Sequence, residues 1–215
     1  FKPIQPPIFS AQDVPSCEDI GFQDNCVVAS EPGADFSTDT KFTGSYQACG
    51  KTFSDPNVEK NNIKTLPVKV WDLGAGGTKI SKTVNLQVHS CIYDRTKKAF
   101  EDYYNSPDKF PIKEMGGYGV RAIAGTSRVS AHAFGLTIDI NHETNCHANN
   151  GGGCKNKQWS YNPCPGSGCS PYSITASSGL YKALKANGFG WGGQWRSSKD
   201  YMHFSCVDNE QGECK

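Results

Sequence analysis

Ten cysteines constrain how this chain can fold, because they run from Cys17 to Cys214 and accompany 23 glycines and 12 prolines in 215 residues. Loop-rich chains with this many cysteines are typical of oxidising compartments, where disulfides hold the fold together. The alternative is a cysteine-rich metal domain, but no two cysteines have Cys-X-X-Cys spacing. We therefore expect a secreted, extracellular protein stapled by disulfides.

The distribution of the cysteines adds one constraint. Three of them precede residue 80 and seven follow it. If all ten pair, at least one disulfide must join the N-terminal part to the rest of the chain.

The charge balance excludes some classes of partner. Lysine and arginine number 22 against 21 aspartate and glutamate residues, so no electrostatic argument supports nucleic acid or an anionic membrane. The sequence also lacks an apolar run long enough to span a bilayer. We expect no nucleic-acid partner and no membrane span.

The hydrophobic pattern changes along the chain. Residues 1–65 show no persistent period, whereas 66–73 and 82–92 alternate as strands around Gly74-Ala-Gly-Gly77. Apolar residues return at helical spacing over 94–105, with Asp94 as the candidate cap, and again over 176–187. Helices mixed with strands that are expected to be antiparallel predict an α+β fold.

Two later segments carry the candidate catalytic and metal-binding residues. Strand alternation over 136–141 places Asp139 on the face opposite Leu136, Ile138 and Ile140. The same alternation over 201–206 places His203 on the strand face opposite Met202, Phe204 and Cys206. If the two strands are neighbours, Asp139 and His203 meet at one point.

These residues fit a zinc site. Catalytic zinc takes three protein ligands from His, Asp or Glu and keeps a fourth position open. His132, Asp139 and His203 fit that number, and Asp200 is a further carboxylate suited to proton transfer. On an ideal strand Asp200 faces away from His203, so this role requires a bend before Tyr201.

Other positions allow more than one interpretation. Arg121 and Arg128 are both candidates to stabilise an oxyanion, and spacing does not choose between them. Trp191 and Trp195 are packing residues or walls of a substrate groove. His89 is expected to be a sheet histidine with its hydrogen bonds satisfied.

A loop at 142–171 contains four cysteines and is too long for a simple connection. It is either a flap that disulfides hold over the cleft or a surface loop with no role at the site. His142 and His147 in this loop are expected to be ordinary loop residues, although His142 is also placed to support Asp139.

Two motifs carry a resemblance to a known family. The first has the pattern Ser-X-His-X-X-Gly-X-X-X-Asp and consists of Ser130, His132, Gly135 and Asp139. The second consists of Asp200, His203 and Phe204, after Trp191-Gly-Gly-Gln-Trp195. Over residues 84–206 the chain resembles the zinc D-Ala-D-Ala peptidase family, whose wider group includes L-Ala-D-Glu endopeptidases, vancomycin-resistance dipeptidases and the hedgehog fold.

The resemblance implies an antiparallel sheet with flanking helices, of the hedgehog/DD-peptidase type. It implies a zinc peptidase domain over 81–215. Residues 1–80 depart from the family and are expected to form an irregular extension tethered by disulfides. The implied roles are zinc ligation by His132, Asp139 and His203, proton transfer by Asp200, oxyanion stabilisation by Arg121 rather than Arg128, and substrate contact by Ser130. Ser205 departs from the family, because many relatives have Glu at this position.

The sequence therefore predicts a monomeric zinc peptidase that hydrolyses peptidoglycan stem peptides, as an endopeptidase or D,D-carboxypeptidase. One alternative is a catalytically silent, zinc-containing binding or signalling module of the same fold, because fold does not imply function. Asp200 and Arg121 argue against it, since such a module needs no proton carrier. A third hypothesis is a metallopeptidase that acts on ordinary L-peptides.

Overall fold

A computed structural model describes residues 42–149 and 153–208. The chain divides into the units Phe1–Thr40 and Lys41–Lys215, and all described residues lie in the second. The strands are β1 Tyr46–Ala48, β2 Lys51–Phe53, β3 Ile63–Leu73, β4 Lys79–His89, β5 Met115–Gly116, β6 Thr137–Ile140, β7 Gly190–Trp191 and β8 His203–Ser205. The α-helices are α1 Pro56–Glu59, α2 Tyr93–Tyr104 and α3 Gly179–Ala186.

The longest strands, β3 and β4, form an antiparallel hairpin that pairs Ile63 with His89 at one end and Leu73 with Lys79 at the other. The turn at Gly74-Ala-Gly-Gly77 includes two glycines with positive φ, where other residues are strained. The predicted hairpin is confirmed. The boundary proposed at residue 80, between the extension and the peptidase domain, lies within strand β4. This boundary stays a prediction.

Helices α2 and α3 pack against each other and confirm the two predicted helical segments. α2 buries Ala99, Phe100 and Tyr103, the apolar positions that recur at helical spacing. Asp94 lies in the first turn of α2 rather than at its cap, which is Ile92. No helix in the described part of the chain is long and apolar enough to cross a membrane.

A four-stranded antiparallel sheet in the order β5-β6-β8-β7 carries Asp139 on β6 and His203 on β8. The side chains of Leu136, Ile138 and Ile140 are fully buried on its core side. Antiparallel sheets combined with separate helices confirm the α+β class.

Disulfides join Cys49 to Cys91, Cys146 to Cys154, and Cys164 to Cys169. The bond from Cys49 to Cys91 confirms that a cysteine of the N-terminal part is tied to the later chain. Cys17 and Cys26, which share that prediction, lie outside the described residues.

A buried ion cluster connects β4 to α1. His89 places Nε2 2.9 Å from the Glu59 carboxylate, which also accepts hydrogen bonds from Lys51 and Asn62. Burial acts to raise the pKa of Glu59, but these hydrogen bonds lower it to about 2. His89 is therefore a satisfied sheet histidine, as predicted, while its partner Glu59 carries no recognisable signal in the sequence.

Candidate metal centre

Three side chains converge at the four-stranded sheet. His132, Asp139 and His203 each place one nitrogen or oxygen atom within 4.8 Å of the other two. The side chains of both histidines are almost buried, and that of Asp139 is 22% exposed. The three residues predicted as zinc ligands are thus brought together, in a group open to solvent on one side.

The first motif folds into one turn of 3₁₀ helix, Ala131–Phe134, which carries His132. Ser130 precedes this turn, and its hydroxyl accepts a hydrogen bond of 3.3 Å from the backbone N–H of His132. Gly135 ends it in the left-handed region at φ 64°. A Cβ at Gly135 would lie 2.7 Å from the backbone nitrogen of His89, so the motif requires glycine here.

The pairing of β6 with β8 explains how the two motifs meet. Asp139 lies directly opposite His203 in the antiparallel register, and its Oδ1 is 3.1 Å from Nδ1 of His203. Neighbouring side chains on one face of a sheet are close enough to share a ligand. The faces predicted from strand alternation are confirmed.

The hydrogen bonding of His132 shows what the group is suited to hold. Nδ1 lies 2.6 Å from the carbonyl oxygen of Gly117, so this nitrogen carries the proton and donates it. The buried Nε2 then directs a lone pair towards Asp139 Oδ2, 3.0 Å away, without making a hydrogen bond. Two acceptors this close need a proton or a cation between them, and the donor set fits zinc.

The charge state of Asp139 agrees with this fit. Burial acts to raise its pKa, but the neighbouring imidazoles, including the hydrogen bond between His203 and Oδ1, outweigh burial and hold the pKa well below its usual value. The carboxylate is therefore ionised, which is the form that binds metal.

Asp200 and His203 are joined by a reverse turn at Tyr201 and Met202. The backbone N–H of His203 donates to the Asp200 carbonyl oxygen at 3.3 Å. The bend that the sequence required before Tyr201 is present at 196–198, where Ser198 has a φ of 42°. Gly192 permits this path, because a Cβ there would overlap the Asp200 carbonyl oxygen and lie 2.9 Å from the Asp200 Cβ.

Of the two arginine candidates, Arg121 lies at the group. Its Nη2 is 3.4 Å from Asp139 Oδ2, and about half of its side chain is exposed. Arg128 instead pairs with Thr43 through a backbone bridge. Among the described residues, the side-chain partners of Asp139 are Arg121, His132 and His203. Arg121 therefore lies beside Asp139, and its role at the oxyanion stays a prediction.

The tryptophans separate into two roles. Trp191 is 4% exposed, stacks on Phe204 and donates from Nε1 to the carbonyl oxygen of Tyr201. It is a packing residue, one of the two roles that the sequence allowed. Trp195 is half-buried, with its ring centre 5.5 Å from that of His203. Its contact with substrate stays a prediction, as does that of Ser130.

Sequence reasoning missed the position of His147. Instead of an ordinary loop position, it has Nδ1 3.7 Å from Asp200 Oδ2. His142 pairs with Glu114 at 2.8 Å, and this hydrogen bond raises the pKa of His142. The spacing of loop residues gives no signal for such contacts.

Residues 124–206 match a family model described as D-alanyl-D-alanine carboxypeptidase. The site and this match support a metallopeptidase of the carboxypeptidase type that acts on peptidoglycan-type substrates. The resemblance to the zinc D-Ala-D-Ala peptidase family is confirmed; the matched range contains the His-Asp-His group and Asp200, and Arg121 precedes it by three residues. No solved structure matches the chain.

Proposed function

We propose that this protein is a secreted zinc peptidase that hydrolyses amide bonds of peptidoglycan stem peptides at D-amino acids, as an endopeptidase or a D,D-carboxypeptidase. The observation that carries the proposal is the buried Nε2 of His132, aimed at Asp139 with no hydrogen bond. Such an atom is explained by a cation held together with His203.

In this proposal His132, Asp139 and His203 hold zinc. Zinc supplies Lewis acidity and lowers the pKa of a coordinated water to about 7. Gly117 supports the site by accepting the Nδ1 proton of His132, which fixes the tautomer whose Nε2 faces the group.

Asp200 is the proton carrier in this proposal. Its side chain is only 15% exposed, so bulk water competes little for its oxygens. A carboxylate in this position accepts a proton from the attacking water and passes it to the departing amine.

Arg121 stabilises the negative oxygen that forms when the amide carbonyl is attacked. Its guanidinium reaches Asp139 and is still half exposed, which leaves donors for a substrate oxygen. Trp195 beside His203, and Ser130 before His132, are the proposed substrate contacts.

Secretion and a monomeric state are part of the proposal. The disulfides among the described residues are compatible with an extracellular protein. The wall peptides of the proposed substrate are extracellular as well.

Purified protein is expected to contain about one zinc per chain and to cleave defined muropeptides. Mass analysis of the products identifies the bond, and a chelator is expected to stop cleavage until zinc is restored. Full activity in zinc-free protein would overturn the proposal. Zinc without cleavage of any wall peptide would favour the binding module, and cleavage of casein would favour an ordinary L-peptide peptidase.

Substitution of Arg121 by methionine is expected to lower kcat about 100-fold with zinc content retained, because an oxyanion donor acts mainly in the transition state. Arg128→Met is the matched control and is expected to keep wild-type kcat, since Arg128 lies on the segment that pairs with Thr43. Steady-state hydrolysis of one muropeptide measures both. Equal losses in the two variants would contradict the role of Arg121.

A further inference from the structure

We propose that His147, in the cysteine-rich loop, is a positioning residue that orients the carboxylate of Asp200. The inference rests on the proposed function, in which Asp200 carries the proton. It gives part of the 142–171 loop a role in catalysis, in place of the flap or the surface loop without a role that the sequence suggested.

The backbone of the loop is paired with the segment that carries Asp200. His147 forms an antiparallel bridge with Asp200. The N–H of Ala148 donates to Lys199 at 2.7 Å, and that of Tyr201 donates to Cys146 at 3.3 Å. These hydrogen bonds on either side of the bridge fix His147 against Asp200.

The loop is fastened on its other side. Cys146, next to His147, is disulfide-bonded to Cys154, and Lys155 N–H donates to the His147 carbonyl oxygen at 2.8 Å. The rings of Tyr161 and Tyr201 stack with centres 3.5 Å apart. The covalent ring and the stack restrict the loop, so the His147 side chain is held where it contacts Asp200.

The hydrogen bonds of the imidazole define its tautomer. Nε2 lies 2.8 Å from Lys155 Nζ and 3.1 Å from Ser198 Oγ. A lysine ammonium only donates, so Nε2 accepts and Nδ1 carries the proton. This N–H is the group 3.7 Å from Asp200 Oδ2, just beyond hydrogen-bond distance, and catalytic pairs that are long in the free enzyme often tighten when substrate binds.

The charge of His147 suits a positioning role. Burial and the charges of Lys155 and His203 lower its pKa to about 4, although Ser198 and Asp139 act to raise it. The ring is therefore neutral at neutral pH. A neutral N–H orients the carboxylate without forming an ion pair that would weaken it as a base.

The kinetic arm compares His147→Leu, which lacks a donor, with His147→Asn, whose amide N–H can occupy the position of Nδ1. The leucine variant is expected to lose about tenfold in kcat with KM and zinc content unchanged, and the asparagine variant to recover most of the loss. His142→Asn is the control in the same loop, since His142 pairs with Glu114, and is expected to keep wild-type kcat. Equal kcat for leucine and wild type, or a failure of asparagine to exceed leucine, would overturn the proposal.

A second arm needs no peptidase activity. Nitrogen NMR of the folded, zinc-loaded protein is expected to show His147 as the neutral Nδ1–H tautomer. Its Nδ1 signal should shift in Asp200→Asn but not in Glu114→Gln. An Nε2–H tautomer would overturn the inference even if the enzyme is active. Absence of muropeptide cleavage together with the expected spectra would instead refute the proposed function and leave the contact established.

Discussion

Replacement of His203 by alanine is expected to remove bound zinc and to reduce muropeptide hydrolysis to background. The substitution leaves His132 and Asp139, too few for the three protein ligands of a catalytic zinc site. It also takes away the hydrogen bond from the imidazole to Asp139 Oδ1. Zinc per chain after gel filtration and product formation by mass analysis measure the two losses.

The matched control is His142→Ala. His142 follows β6, as His203 begins β8, but it pairs with Glu114 rather than with Asp139. The control is expected to keep about one zinc and wild-type activity. A His203→Ala protein that folds with wild-type thermal midpoint and still hydrolyses substrate at the normal rate would show that the metal is elsewhere.

Periodicity predicted the strand that carries Asp139, but not the 3₁₀ turn that carries His132. Of the segment 201–206 that was counted as a strand, Tyr201 and Met202 form a turn. Alternation in 136–141 is a local consequence of one buried face, so it placed Asp139 correctly before the partner strand was known. Direct pairing of Asp139 with His203 then followed from the register of β6 and β8. The glycines of both motifs act through close backbone approach, at Gly135 to His89 and at Gly192 to Asp200.

Contacts made across loops were not predictable in this way. The approach of His147 to Asp200 depends on a backbone bridge between residues 53 positions apart, and no local pattern encodes it. Trp191 illustrates the same difficulty. Its amphipathic ring suits a groove or a core equally well, and only packing against Phe204 assigns it to the core.

Charged residues in the core were also missed. A glutamate in a short segment rich in asparagine and lysine predicts an exposed position, yet Glu59 is 7% exposed. Its burial is offset by His89, Lys51 and Asn62, which all bond to Oε2. Asn62 is near in sequence, but Lys51 lies on β2 and His89 on β4, so the cluster exists only in the folded state.

Substitution of Asp200 by asparagine is expected to lower kcat by about 1000-fold while zinc content and KM stay near wild type. The amide has nearly the same shape as the carboxylate and can still face His147, but it cannot accept the proton of the attacking water. Pre-steady-state and steady-state hydrolysis of a defined muropeptide measure the change, together with zinc per chain.

Asp208→Asn supplies the control, because it removes the same charge from an exposed carboxylate just after β8. It is expected to leave kcat unchanged. Three results separate the roles open to Asp200. Loss of kcat with zinc retained identifies a proton carrier, whereas loss of kcat together with zinc identifies a ligand. Wild-type kcat in Asp200→Asn would remove Asp200 from the mechanism, and with it the reason for His147 to be held beside it.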